Sequence, residues 1–392
     1  TMGSGIALAC LRAGCDVLLL DSSDEALNAG RGRIEALLQQ QVEKGRIQSD
    51  EAAADLGRLQ LAREFDSLSG VDLVIEAVFE NMDVKTDVFA RLDQACKPGT
   101  VLATNTSTLD VDRIAAATTR PQDVIGLHFF SPAHVMRLLE IVRGNETADD
   151  VIATAMAFAR RLRKVGVLVG NCFGFVGNRM LYGYGRESQK LLLEGVAPER
   201  IDRVLYDWGM AMGPHAVGDL AGLDVGYRVR KERTDLPDDP CFYRIADMLV
   251  ERGRLGQKTG MGMYDYREGE RAAHPSAEVA EMIRAEANRL GVVQREIDDQ
   301  EIVERCIFAL INEGARCLEE GIAMRAADID VIWVNGYGFP RHRGGPMFYA
   351  SQIGLDRVYR GICRFRDTLD ERYWQPAALL EKVAAGDSAA AW

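Results

Sequence analysis

The chain has 392 residues, 47% of them hydrophobic and 27% charged, with a formal net charge of −12. That is globular composition with room for about two to four domains, and the acidic balance argues against a non-specific nucleic-acid binder. The eight cysteines include no CxxC pair and read as reduced core residues in a cytosol-like compartment. No apolar run reaches membrane-spanning length, no signal peptide is visible, and the terminal GDSAAAW carries no recognised peroxisomal address. No HExxH or clustered His/Cys set appears, so no metal is expected.

In chain order, TMGSGIALACLRAG reads as a helix and VLLLD as the strand after it. Gly3 and Gly5, then Gly14, then Asp21 at the strand end resemble the second half of a dinucleotide fingerprint. There, glycines sit where helix meets cofactor, and an acid takes the ribose hydroxyls. The strand and glycines that open such a fingerprint are not in the sequence. An ordinary helix–strand pair, with DSSDEA capping the next helix, is therefore the competing reading. Asp24 to Gln41 is predicted helical, with Leu27, Ile34, Leu37 and Leu38 on one side, and Glu51 to Leu59 is predicted as a short helix. VDLVIEAVF from Val71 is a buried strand. Its acidic end, with Glu76 and Glu80, leads into a helix packed through Val84, Val88 and Leu92. PGTVLATNTST is a strand from Thr100 that runs into a polar loop, where Ser107 or Thr108 is the expected cap of LDVDRIAA. VIGLHFF, LLEIV and VGVLVG are three more strands. Apolar runs of this kind, alternating with helices, suit a doubly wound sheet covered on both faces.

The stretch from Gly126 to Gly144, GLHFFSPAHVMRLLEIVRG, carries the chemistry. VIGLHFF enters, SPAH turns and LLEIV returns, which brings Glu140 back beside His128. An imidazole titrates close to neutrality, and a carboxylate behind it fixes the tautomer and stabilises the imidazolium. The alternative is a buried histidine satisfied by a local carboxylate.

After Gly170 the pattern turns helical. Val176 to Glu194 and Pro198 to Tyr206 are helices, MGPHAVGDLAG is a Gly- and Pro-broken corner with a helix from Leu220, and LGQKTGMGMYDY is a glycine-rich turn. REGERAAHPSAE is the expected linker. The later part echoes the earlier one: LLLEGVAPERIDRVL with Asp202 and MGP, then RCLEEGIAMRAADIDVIW with Asp330 and GGP. The boundaries expected are 1–170 for a nucleotide domain, 171–267 for a first helical domain and 278–386 for its repeat. Pairing of the repeats would satisfy within one chain an interface that otherwise needs a second subunit. Met180, Met210, Met212, Phe173, Phe175, Tyr182 and Tyr184 either line an acyl groove or fill a helix interface. RHRGG, Arg341 to Gly345, is read as structural.

TMGSGIA, VIEAVFENMDVK, LATNTSTL, IGLHFFSPAHVMRLLEIV, NCFGFVGNRML, MGPHAVGDLAGLDVG, RLGQKTGMGMYDY and VNGYGFPRHRGGPMFYA together resemble the 3-hydroxyacyl-CoA dehydrogenase portion of multifunctional fatty-acid β-oxidation enzymes. The resemblance is particularly to the peroxisomal-type bifunctional enzymes and their bacterial relatives. The resemblance spans nearly the whole chain. It implies an α/β fold, an N-terminally truncated doubly wound (Rossmann) domain followed by two duplicated all-helical domains. It implies NAD-dependent oxidation of an L-3-hydroxyacyl-CoA. His128 then corresponds to the catalytic base and Glu140 to its carboxylate partner. Ser107 corresponds to the serine beside substrate hydroxyl and nicotinamide, and Asn178 to a polar substrate contact. Gly3, Asp21, Glu80, Lys85 and Ser107 fall on the cofactor side. For Lys85 a solvated helix lysine is the alternative, and for Asn178 a helical polar residue near a domain seam.

The resemblance further implies an acyl-CoA substrate, a covalently linked hydratase/isomerase half upstream, and a peroxisomal setting in a eukaryote or a cytoplasmic one in a bacterium. With the opening strand lacking, this piece by itself is expected to be unstable or inactive. Two other functions stay open: a dehydrogenase for a related hydroxyacyl thioester or hydroxyacid, and a scaffold that docks the hydratase half.

Overall fold

A computed structural model of the chain describes residues 2–267, 269–270, 272–386 and 392. Thr1 of TMGSGIA, Glu268 and Arg271 of REGERAAHPSAE, and residues 387–391 of GDSAAAW lie outside the described residues. Two units are distinguished: Thr1–Val176 with Gly321–Met324, and Gly177–Glu320 with Arg325–Trp392.

The first unit opens with α1 (Met2–Arg12) and β1 (Val17–Leu20), then α2 (Asp24–Glu43) and α3 (Ser49–Gly57). Ser23 caps α2 by accepting from the Ala26 amide, so the acid at the strand end, Asp21, is not the cap. The predicted helix to Leu59 stops at Gly57, because Leu59–Ala62 form β2, parallel to β1 with Leu18 opposite Gln60. The LQLA run is too short for its period to show against a neighbouring helix. β3 (Leu73–Glu76), α4 (Met82–Ala95), β4 (Val101–Thr104), α5 (Val111–Ala115), β5 (Val124–Phe129), β6 (Leu138–Arg143), α6 (Asp149–Arg161) and β7 (Val165–Gly170) follow. Strands β3 to β7 form one sheet in sequence order. It is parallel throughout except for the antiparallel β5–β6 pair, and β1–β2 is a ladder of its own.

Alternation along β5 and β6 separates two faces. Ile125, Leu127, Phe129, Leu139 and Ile141 join Ile6 and Cys10 of α1 and Val151, Ala155 and Ala159 of α6 in one core. Gly126, His128, Glu140 and Val142 take the other face. Gly126 lies opposite Val142, and a Cβ there would come within 2.6 Å of the Val142 Cβ, so only glycine lets the two strands close at this point.

The second unit contains α7 (Gly177–Leu193), α8 (Pro198–Trp208), α9 (Pro214–Ala221), α10 (Leu223–Glu232) and α11 (Arg244–Glu251). It also contains a short ribbon, β8 (Tyr264–Tyr266) antiparallel to β9 (Ala273–Pro275), so part of the expected linker is a strand. The helix predicted from Leu220 is two helices, broken at Gly222, whose φ of 95° favours glycine. Then come α12 (Ala277–Leu290), α13 (Asp299–Glu319), α14 (Ala326–Gly336), α15 (Pro346–Ile353), α16 (Leu355–Thr368), α17 (Glu371–Trp374) and α18 (Ala378–Ala384). Helix α13 packs along α7, joined by a buried pair of Glu187 and Arg305 at 3.0 Å. Burial pushes the Glu187 carboxyl up, and Arg305 and Arg186 together bring it below the usual range. Met180, Met210, Phe175 and Tyr184 are all buried as packing. Within RHRGG, Arg343 stacks over Trp208 at 4.3 Å and donates to its carbonyl, a structural role.

The echo in the sequence is one corner built twice. Asp202 on α8 accepts from the His215 and Ala216 amides at 3.0 and 2.8 Å, at the start of α9. Asp330 on α14 accepts from the Met347 and Phe348 amides at 2.7 and 3.1 Å, at the start of α15. In both corners a Gly-Pro pair opens the helix, and a Cβ on Gly213 or Gly345 would collide with the aspartate. Burial pushes the Asp330 carboxyl up to about 6, against the pull of the amides it caps.

An unfolded aspartate titrates near 3.9, so the folded state binds the extra proton between about pH 4 and 6. Stability from this group is present in full below about pH 4 and is lost as pH rises through about 6. Asp330→Asn keeps an acceptor for the amides without the buried charge. It should therefore melt later than the parent near neutral pH, by roughly 1–3 kcal/mol in denaturant titrations, and lose that advantage near pH 4. Equal gains at both pH values would contradict the account.

Candidate active site

The β5–β6 pairing sets His128 directly opposite Glu140. Directly paired residues in an antiparallel ladder project their side chains to the same face. The imidazole Nδ1 lies 2.7 Å from Glu140 Oε2, with the carboxylate side chain fully buried and the imidazole 7% exposed. A buried carboxylate needs such a partner. Its acceptor oxygen selects the tautomer with the proton on Nδ1, which leaves the lone pair on Nε2. Phe130 and Phe175 flank the ring at centroid distances of 4.4 and 5.6 Å.

The turn between the two strands is pinned by Lys164, which precedes β7. Its Nζ donates to the carbonyls of Ala133 at 2.6 Å and Met136 at 2.7 Å, and lies 5.6 Å from the Phe129 ring centroid. Burial pulls this ammonium down to about 8.

On the other side of β5, the TNTST loop is tied to the same strand. Asn105 Oδ1 accepts from the Phe129 amide at 2.8 Å, and the Asn105 amide donates to the Glu76 carbonyl at 2.8 Å. Ser107 does not cap the next helix: Asp110 does, accepting from Asp112 and Arg113. The Ser107 amide and hydroxyl instead donate to Glu80 Oε1 at 2.7 and 3.1 Å. The Thr106 hydroxyl and Thr108 amide converge on the same oxygen at 2.6 and 3.2 Å. Burial pushes the Glu80 carboxyl up, but Lys85 and these donors bring it below the usual glutamate range.

Lys85, expected to line the groove or to sit in solvent, does neither. It has 0% exposure, and its ammonium donates to Glu76 Oε1 at 2.8 Å. The predicted face of α4 is correspondingly turned: Lys85, Phe89 and Leu92 point inward, while Val84 is exposed. A reading of apolar residues alone could not have placed a lysine inward, because its buried partner lies on another element.

Gly3 stands in the first turn of α1, which carries no acidic residue, and lies near Ala77 just beyond β3. Asp21 is exposed at the end of β1, with one oxygen accepting from the Ser22 amide at 2.8 Å. Asn178 belongs to the second unit, in the first turn of α7, where its Oδ1 accepts from the Tyr337 hydroxyl at 2.8 Å. Sequence reading singled out neither Asn105, Lys164 nor Tyr337, and took Glu76 only as an acid at a strand end. Each was legible as a polar residue in or beside an apolar run. No group of side chains suited to a metal is present among the described residues. Cys10, Cys15, Cys96, Cys241, Cys306 and Cys363 are free thiols.

An α/β unit with acids and a glycine-bearing helix at its strand ends, followed by a helical unit, fits the class of nicotinamide-nucleotide dehydrogenases. More particularly, the chain belongs to the 3-hydroxyacyl-CoA dehydrogenase family. The NAD-binding domain of that family matches residues 1–172, and its C-terminal domain matches 174–266 and 302–389. The chain is 46% identical over 402 residues to the peroxisomal bifunctional enzyme of Danio rerio, covering 99% of this chain and 55% of that one. It is 44% identical to the peroxisomal bifunctional enzyme of Homo sapiens over 399 residues, covering 98% and 55%. It thus spans about half the length of these relatives. Among solved structures, 3-hydroxybutyryl-CoA dehydrogenase from Escherichia coli is 29% identical with a TM-score of 0.85, covering 99% of this chain and 97% of that one. The dehydrogenase part of multifunctional enzyme 1 from C. elegans is 32% identical with a TM-score of 0.70, covering 97% and 87%.

Lys164→Met should leave the Ala133 and Met136 carbonyls short of their donor and cost roughly 1–3 kcal/mol in a denaturant melt. A melt matching the parent's would show that the turn holds without the ammonium.

Proposed function

We propose that this chain oxidises an L-3-hydroxyacyl-CoA to the 3-ketoacyl-CoA as the dehydrogenase portion of a multifunctional β-oxidation enzyme. The observation that carries the reading is the His128–Glu140 pair, 2.7 Å apart and nearly closed to solvent. Bound NAD⁺ supplies the hydride acceptor. His128 Nε2 takes the substrate hydroxyl proton, and Glu140 orients the ring and stabilises the imidazolium that results. Ser107, seated by Glu80, is assigned to the substrate oxygen and nicotinamide side, and Asn178 to a further polar substrate contact.

The residues at the strand ends fit the dinucleotide. A helix N-terminus without acids, at Gly3, suits the pyrophosphate, and the exposed Asp21 carboxylate suits the ribose diol. That carboxylate disfavours a 2′-phosphate, which selects NAD over NADP. Glu80 is read as an acceptor on the cofactor side, with Lys85 acting through it.

The domain reading is 1–170, 171–267 and 278–386, the last two being a duplication. The twofold match of the C-terminal domain and the two aspartate corners support it. The α7–α13 packing supports a chain that works as a monomer. Relatives named bifunctional favour a covalently linked hydratase/isomerase half as partner, and their peroxisomal names favour that compartment in a eukaryote. In a bacterium the same chemistry belongs in the cytoplasm.

The test is reduction of acetoacetyl-CoA by NADH, followed at the nicotinamide absorbance. His128→Gln and Glu140→Gln should each lower kcat by roughly 10²- to 10⁴-fold, the range for a positioned proton-transfer group. A chain that also carries an opening strand and glycine loop, binds NADH and leaves acetoacetyl-CoA unreduced would end this reading. A Glu140→Gln variant as fast as the parent would end the role given to the pair.

A further inference from the structure

Glu76 closes β3 and collects three donors from three places. Its Oε1 accepts from the Val78 amide at 2.6 Å and from Lys85 Nζ at 2.8 Å, and its Oε2 accepts from the Thr104 hydroxyl at 2.8 Å. Both charged side chains of the Glu76–Lys85 pair are 1% exposed. A second carboxylate waits beside the same cation: Glu80 Oε2 lies 3.5 Å from Lys85 Nζ. The other oxygen of Glu80 is the one that holds Thr106, Ser107 and Thr108. One buried ammonium thus stands between two carboxylates. It bonds closely to Glu76, which holds Thr104 at the end of β4, and more loosely to Glu80, which seats Ser107.

We propose that Glu76 is a positioning residue: by binding Lys85 it keeps the Glu80 carboxylate seated on the Ser107 loop. The physical reason is competition in a low-dielectric interior. If Glu76 were neutral, Lys85 would be a buried cation with Glu80, whose own side chain is 32% exposed, as its nearest anion, and the pull on that carboxylate would no longer be shared. Lys85 would then draw Glu80 off the Thr106, Ser107 and Thr108 donors, and the loop would lose its anchor. Glu76 bonds to none of those three residues; besides the cation, it reaches their loop only through the Thr104 hydroxyl and the Asn105 amide, and a variant that removes the cation separates the two routes. The kinetic part of this inference rests on the dehydrogenase reading above, and the loop part does not.

The experiment compares the parent, Glu76→Gln and Glu76→Gln/Lys85→Met in the full chain without cofactor, by hydrogen exchange at the Ser107 and Thr108 amides. Glu76→Gln keeps the shape and an acceptor for Val78 but removes the charge. It should raise exchange at both amides by about tenfold or more. The double variant removes the cation that pulls on Glu80 and should return exchange to near the parent rate. A residue that merely holds the fold predicts the opposite, with the double variant no better protected than the single. Parent-like exchange in Glu76→Gln, or no recovery in the double variant, overturns the proposal. If Glu76→Gln does not fold, the double variant, in which only the Glu76–Lys85 pair has lost its charges, still decides it, since unprotected amides there would show that Glu80 needs Lys85 to hold the loop.

In the acetoacetyl-CoA assay, Glu76→Gln should lower kcat by roughly tenfold to a hundredfold with little change in KM, as a misplaced reacting group does. A parent inactive even with an opening strand and glycine loop, but with the predicted exchange pattern, would fail the dehydrogenase reading and leave the relay standing. An active parent with unchanged exchange in Glu76→Gln would do the reverse.

Discussion

The antiparallel return of β6 along β5 is the constraint on which the first unit's chemistry depends. Every other pairing in its five-stranded sheet is parallel, and parallel neighbours need a long crossover between them. The single tight return lets a residue twelve positions from His128 stand directly across from it. A slip of one residue would turn Glu140 into the apolar core and leave the imidazole without its acceptor. The register is held from several sides at once: Gly126 against Val142, Lys164 across the turn, and the alternating core residues on the opposite face. These are packing and backbone constraints, and their joint effect is to fix one tautomer of one ring.

The same sheet carries a second use of buried charge. A lysine and a glutamate inside a core are costly unless each satisfies the other, and here hydrogen bonds from Thr104 and the Val78 backbone take up what the pair leaves over. This cluster lies where three strands end and the polar loops begin. Asn105 joins the Glu76 backbone to the Phe129 backbone, one residue from His128. The loop that bears Ser107 is therefore braced through its backbone by Asn105 and through its side chains by Glu80.

In the second unit the recurring device is an aspartate midway along one helix that caps the start of a later one. Asp202 and Asp330 do this at two separate corners, each against a glycine that leaves room for the carboxylate and a proline that opens the capped helix without wasting an amide. The first corner gains a further donor, the Tyr264 hydroxyl at 2.9 Å. That tyrosine stands on β8, within the expected first repeat.

The sequence by itself determined the order of most strands and helices, the pairing of His128 with Glu140 and the echo between the helical parts. Each depends on local period, on spacing along the chain, or on glycine and proline at corners, all of which can be read in a short window. Resemblance added which residues to watch. Only the tertiary structure decided that Lys85 turns inward, that Glu80 rather than a helix terminus receives Ser107, that Leu59–Ala62 pair with β1, and that Lys164 pins the turn. In each of these cases the deciding partner lies far along the chain or on another element. A charged side chain carries no mark of whether that partner will be water or a buried opposite charge, because the choice belongs to the packing and not to the residue.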